Sequence, residues 1–96
     1  MTEGAIQVHV LTNTGTAVED EAVSVVAPGE MGYLGVLRRH APLVTTLVPG
    51  RLRYRTHDGT TKTFRLGAGL MEIVRDRLTI LTESISQPET SPSSAI

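Results

Sequence analysis

Between Ile6 and Thr82 the apolar residues recur at a spacing of two or gather in short runs. Glycine and proline interrupt them every few positions. A period of two is that of a β-strand, and it limits each segment to burying one face. Ile6, Val8 and Val10 alternate with Gln7 and His9, which predicts a half-buried strand. Asn13-Thr14-Gly15 reads as a turn. A short strand over Ala17 to Asp20 runs into the acidic cluster Glu19-Asp20-Glu21. Val23 to Ala27 reads as a buried strand stopped by Pro28-Gly29. No internal repeat and no long amphipathic helix is found. The pattern predicts an all-β domain, a single β-sandwich or flattened barrel.

The stretch Gly29 to Pro49 anchors the middle of the chain. It opens with a glycine-rich loop, Gly29-Glu30-Met31-Gly32, followed by the apolar run Tyr33-Leu34-Gly35-Val36-Leu37. Arg38 and Arg39 bring the backbone to the surface, and His40-Ala41-Pro42 makes a corner, since proline fixes its own φ and keeps Ala41 out of a helix. Leu43 to Val48 carries Thr45 and Thr46 within an apolar run, which favours a strand. Pro49-Gly50 closes it.

Two hairpins can be set in register from the sequence. Leu52 and Tyr54 alternate with Arg51, Arg53 and Arg55; Phe64 and Leu66 alternate with Thr63 and Arg65. A two-residue turn at Asp58-Gly59 would set Arg53 against Phe64, whereas an odd loop puts all four apolar residues on one face. One residue of slip inverts every side chain. The expectation is therefore a loop of three or five residues with Gly59 at positive φ, as in a G1 bulge. In the last hairpin a two-residue turn at Arg75-Asp76 pairs Ile73 with Leu78 and Met71 with Ile80. The opposite face, with Leu70, Glu72, Val74, Thr79 and Leu81, is half apolar and is expected to be covered.

Ninety-six residues allow one domain with one modest core. No apolar run approaches the roughly 18 residues of a membrane span, and no basic, apolar leader is read at the N-terminus. Cysteine is absent and net charge is −1, so neither disulfides nor a general attraction to nucleic acid is expected. Tyr33, Tyr54 and Phe64 are the only aromatics, too few for a base-stacking platform. The expected division is a domain over residues 1–84 and a disordered Pro/Ser/Thr tail over residues 85–96. Residues Gln87 to Ser94 hold two prolines, three serines and a threonine.

Reactive chemistry finds little support. His9, His40 and His57 have no metal-ligand spacing. No serine sits in a Gly-x-Ser-x-Gly elbow, and no Gly-Lys-Ser/Thr follows the glycines at 29 and 32. Arg51, Arg53, Arg55 and Arg65 form the largest positive stripe. It reads either as a solvated face whose charges block edge pairing or as a contact for an acidic partner surface. Arg38 and Arg39 read as loop solubility or as a partner contact. His40 reads as a corner residue bonded to backbone.

The succession of Gly29, Glu30, Gly32, Gly35, Val36, Leu37 and His40-Ala41-Pro42-Leu43-Val44-Thr45 resembles the signature of the epsilon-subunit family of F-type ATP synthases. Ala22 to Gly29, Pro49 to Tyr54, Gly67 to Ile73 and Leu78 to Thr82 resemble further family strands in order. The likeness covers roughly residues 5 to 84. It implies a β-sandwich of about ten short, mostly antiparallel strands. It also implies a non-catalytic rotor subunit that couples c-ring rotation to ATP synthesis by holding gamma on the ring. Gamma and the c-ring are the implied partners, and no cofactor is implied. By the same match, His40, Ala41, Leu43 and Thr45 face gamma, while Glu30, Met31, Gly32 and Tyr33 face the ring. The implied place is the cytoplasmic side of the bacterial inner membrane, with membrane association only through the complex.

Two departures fall in the contact region: Arg38-Arg39 stand where the family usually has Pro-Gly, and Tyr33 where it commonly has glutamate. The family's C-terminal helical hairpin and its Ile/Leu-Asp-x-x-Arg-Ala nucleotide motif have no counterpart here. Neither helix-based inhibition nor ATP binding is therefore expected. The alternative is a free-standing β-sandwich module that binds a ligand or peptide through the Gly29 to Tyr33 loop.

Overall fold

The computed structural model describes residues 4–87. Ten strands follow one another: β1 (Ile6–Thr12), β2 (Gly15–Ala22), β3 (Ser24–Gly29), β4 (Gly32–Leu37), β5 (Leu43–Leu47), β6 (Gly50–Arg55), β7 (Thr61–Leu66), β8 (Gly69–Val74), β9 (Arg77–Thr82) and β10 (Ile85–Ser86). They form one hydrogen-bonded sheet in the order β10-β7-β6-β3-β5-β8-β9-β1-β2, with β4 also paired to β3. The sheet curls into a nearly closed barrel, as the all-β sandwich or flattened-barrel expectation requires. All the pairings are antiparallel except that of β1 with β9.

Strand β3 is the joint. β4 runs along the whole of one edge. On the other edge Ser24–Val26 pair with β6, and Gly29 pairs with Leu47 of β5. The sheet thus divides at β3 into two facing layers. Between them lies one core that includes Ile6, Val8, Val10, Val25, Leu52, Met71, Ile73, Leu78 and Ile80, each at most 1% exposed.

Both hairpin registers follow the sequence. Leu52 pairs with Phe64 and Tyr54 with Lys62. The Thr56 N–H donates to the Thr60 carbonyl, and Gly59 N–H donates back to the Thr56 carbonyl, with Gly59 at φ 90°. That is the three-residue loop with a G1 glycine. Ile73 pairs with Leu78 and Met71 with Ile80, across a two-residue turn in which Arg75 and Asp76 both take positive φ.

Three local readings differ. The strand expected to stop before Pro28 continues to Gly29. Pro28 lies opposite Tyr33 and turns its carbonyl the other way, to accept the Val48 N–H at 2.9 Å, so no donor toward β4 is lost. β2 is longer than Ala17–Asp20, because a bulge between Val10 and Leu11 lets pairing run on to Gly15. The tail expected over 85–96 begins with Ile85–Ser86 as β10, paired to Leu66 and Arg65; positions 88–96 lie outside the described residues.

The far strands of the two layers are tied through Asp20. The pairing of Val8 with Asp20 turns this carboxylate toward the core side of β2. There Oδ2 accepts 2.8 Å hydrogen bonds from Tyr54 Oη on β6 and Lys62 Nζ on β7, and Oδ1 accepts the Glu21 N–H at 2.8 Å. Burial alone would raise the Asp20 carboxyl, but the hydrogen bonds from Lys62, Glu21 and Tyr54 outweigh it and hold the group below its ordinary value of 3.8. Burial and the Asp20 carboxylate together push the Tyr54 hydroxyl above its ordinary 10.0.

A carboxyl depressed in the folded state stabilises the fold above its unfolded pKa, and that contribution is lost as pH falls through the folded one. Urea midpoints should therefore fall as pH drops below 3.8, and the Asp20→Asn variant should show a flatter acid limb; an equally steep limb would dismiss the clamp. Arg39 holds a left-handed φ of 65° at the position where the resembled family places glycine. Arg39→Gly should raise stability by up to about 1 kcal/mol by removing that strain, while Arg38→Gly should not; urea unfolding of the two variants checks this.

Candidate partner-binding surfaces

The β3–β4 hairpin carries the first surface. Gly29 pairs with Gly32, so the glycine-rich loop is a tight turn at Glu30-Met31, with Gly32 at φ 122°. Met31 is 99% exposed at its tip, and Glu30, Gly32 and Tyr33 are exposed beside it. The Tyr33 hydroxyl is held by the Arg51 N–H at 3.2 Å. Gly50 makes room for it: a Cβ there would meet Pro28 Cβ at 2.7 Å and Tyr33 Oη at 3.0 Å. The four residues expected to face a ring are thus contiguous, with a polarisable thioether at the apex and an anchored aromatic at the base.

The second surface is the outer face of β5, β8, β9 and β1. Val44 lies opposite Glu72, Leu70 opposite Leu81, and Leu81 beside Leu11. Val44, Leu70 and Leu81 are 62%, 44% and 52% exposed. With Glu72 and Thr79 they line a shallow hollow of about 230 Å³. This is the half-apolar face read from the sequence, and it faces solvent in the isolated chain.

Of the residues matched to gamma contact, two lie on the core-side face of β5 and two in the corner before it. Leu43 and Thr45 pair with Ile73 and Met71, so both point to the core side and are only half-exposed. Val44 and Thr46 point outward. His40 is half-exposed, its Nδ1 2.7 Å from the Ala41 carbonyl oxygen, and Ala41 is exposed. The neighbouring corner is fixed by Asp76, whose Oδ1 accepts the Arg39 N–H at 2.6 Å while its carbonyl accepts the Gln7 N–H at 2.8 Å. Arg38 and Arg39 stay exposed.

Val44 and the Asp20 clamp are not among the residues singled out from the sequence. Leu43 to Val48 holds apolar residues of both parities, so only pairing with β8 decides that Val44 faces out. Lys62 did leave a sign, as a cation at an even position on the face of Leu52, Tyr54, Phe64 and Leu66.

Residues 5–88 match the family described as ATP synthase, Delta/Epsilon chain, beta-sandwich domain. The chain is 46% identical over 79 residues to the ATP synthase epsilon chain of Acidithiobacillus ferridurans, covering 82% of this chain and 55% of that one. It is 37% identical over 84 residues to the ATP synthase epsilon chain of Desulfosudis oleivorans, covering 88% and 63%. The chain therefore spans a little over half the length of these relatives. In fold it resembles a chain in the cryo-EM structure of the Euglena gracilis mitochondrial ATP synthase OSCP/F1/c-ring assembly, with a TM-score of 0.82 at 17% identity and coverage of 91% and 56%. It also resembles one in the Tetrahymena thermophila mitochondrial ATP synthase central stalk and c-ring, with a TM-score of 0.72 at 12% identity and coverage of 94% and 72%. With its fold and most of its length so matched, the chain belongs to the family of the ATP synthase delta/epsilon chain beta-sandwich domain.

Proposed function

We propose that this domain is a non-catalytic part of the central rotor of an ATP synthase. It holds the gamma subunit on the c-ring, so that ion-driven ring rotation reaches the catalytic head from the cytoplasmic side of a bacterial inner membrane. The observation that carries this is the pair of separate apolar exposures on one rigid barrel. One is the Val44, Leu70 and Leu81 face, and the other is the Met31–Tyr33 tip. A coupler needs two attachment surfaces at fixed distance and a body that does not shear between them. The continuous sheet and its single core supply that body. Kinship with epsilon chains, and likeness in fold to chains of assemblies that contain a c-ring, support the same assignment.

In this scheme the sandwich of residues 1–84 carries the coupling, extended by the β10 pairing. The outer apolar face meets gamma together with His40 and Ala41. Leu43 and Thr45 act from beneath, by holding β5 in place. Glu30, Met31, Gly32 and Tyr33 rest on the polar loops of the ring, and Arg38-Arg39 border the gamma face. Burying a half-exposed leucine or valine contributes about 1 kcal/mol, so three of them form the apolar centre of an interface with a polar rim.

Two sets of variants separate the two contacts. Leu81→Asp and Val44→Asp should lower co-purification with gamma at least tenfold while the barrel stays folded. Met31→Ala with Tyr33→Ala should leave gamma binding intact and weaken coupling of ATP hydrolysis to ion pumping in the reconstituted complex. Unchanged gamma retention in the aspartate variants would overturn the assignment.

A further inference from the structure

The outer face of β4, β3, β6 and β7 lies outside the gamma contact described above and meets the ring contact only at Tyr33, on its margin. Register puts Arg51, Arg53 and Arg55 on it from β6, and Arg65 directly opposite Arg51 from β7. All four are exposed. Among the described residues the ion pairs are Lys62–Asp20 and His9–Glu19, and neither includes these arginines. Between them on the same face stand Ser24, Val26, Thr61 and Thr63, all uncharged. Three guanidiniums at a strand repeat of two residues span about 13 Å. Like charges placed directly opposite, as Arg51 and Arg65 are, destabilise a bare sheet. The chain's net charge is −1, so this local field is not a by-product of a basic protein.

Two further features select the kind of anion. Tyr33 and Leu37 of β4 share this face and are 61% and 65% exposed. A hollow of about 310 Å³ lined by Val26, Tyr33, Arg51 and Arg53 opens between the arginines and the tyrosine ring. Gly35, on the same face opposite Val26, leaves space there: a Cβ would meet nothing within 4 Å. Arginines match phosphate oxygens by paired N–H donors. An amphipathic tyrosine and an exposed leucine beside them are the companions found where a protein rests at a headgroup layer.

We propose that this face binds anionic phospholipid headgroups, with one phosphate seated in the Arg51–Arg53–Tyr33 hollow and the remaining arginines adding surface attraction. It shares Tyr33 with the proposed ring contact and no residue with the gamma contact, so lipid binding by the arginines and gamma binding are read separately.

The test is co-sedimentation of the 96-residue chain with vesicles of phosphatidylcholine alone or mixed with phosphatidylglycerol. Binding to the mixed vesicles only is expected. Each Arg→Gln change at 51, 53, 55 or 65 should weaken it about fivefold, and high salt should abolish it. The fold should be unchanged by circular dichroism, since the four side chains are exposed. Equal binding to neutral vesicles, or full binding by the quadruple glutamine variant, would overturn the proposal. So would loss of vesicle binding to millimolar inorganic phosphate, which would make the hollow a free-anion site. Stronger retention on polyglutamate than on anionic vesicles would assign the face to an acidic protein instead.

Discussion

Slipping any one strand by a single residue would turn Val8, Leu52 or Ile80 into water and draw a polar neighbour inward. That penalty holds the barrel together. The core is aliphatic, with Tyr54 and Phe64 stacked at 6.1 Å between centroids as its one aromatic pair. Aliphatic side chains offer area and shape but no directional bonds, so the backbone ladder must set direction. Each pairing is therefore fixed twice, once by hydrogen bonds and once by the face it buries.

Closure needs more than pairing. β3 is shared by three neighbours, and the change from β6 to β5 along one of its edges lets a single sheet become two layers. At the far side the layers meet through Asp20, Tyr54 and Lys62. An isolated lysine on an inner face would be costly, and an isolated aspartate equally so. Joined at 2.8 Å, and partly open to water, they satisfy one another. Inward charges on β2 and β7 also discourage either strand from recruiting another chain.

The surfaces are consequences of the same register. Because Ile73 and Met71 must be inside, Leu70 and Glu72 are outside; because β5 pairs with β8, Val44 joins them. Because Tyr54 and Leu52 are inside, the arginines between them form a ladder. A domain built this way has little freedom to move its contacts independently. That constraint is what the proposed coupling role calls for.

The sequence by itself determined the strand class, both hairpin registers and the half-apolar face. Each of these is local: alternation of two, a glycine able to take positive φ at position 59, and a two-residue spacing at Arg75-Asp76 are all read within about twenty residues. Family likeness pointed to the tip and to the corner at His40. Only the tertiary structure decided which side of β5 faces out, because Leu43 to Val48 is apolar in both parities and a distant strand chooses between them. The same holds for the Asp20 clamp, whose partners lie 34 and 42 residues away. It holds too for Arg39, whose left-handed backbone is set by the Asp76 carboxylate across the fold. Contacts between residues far apart in the chain depend on how the sheet closes, and no local pattern encodes that closure.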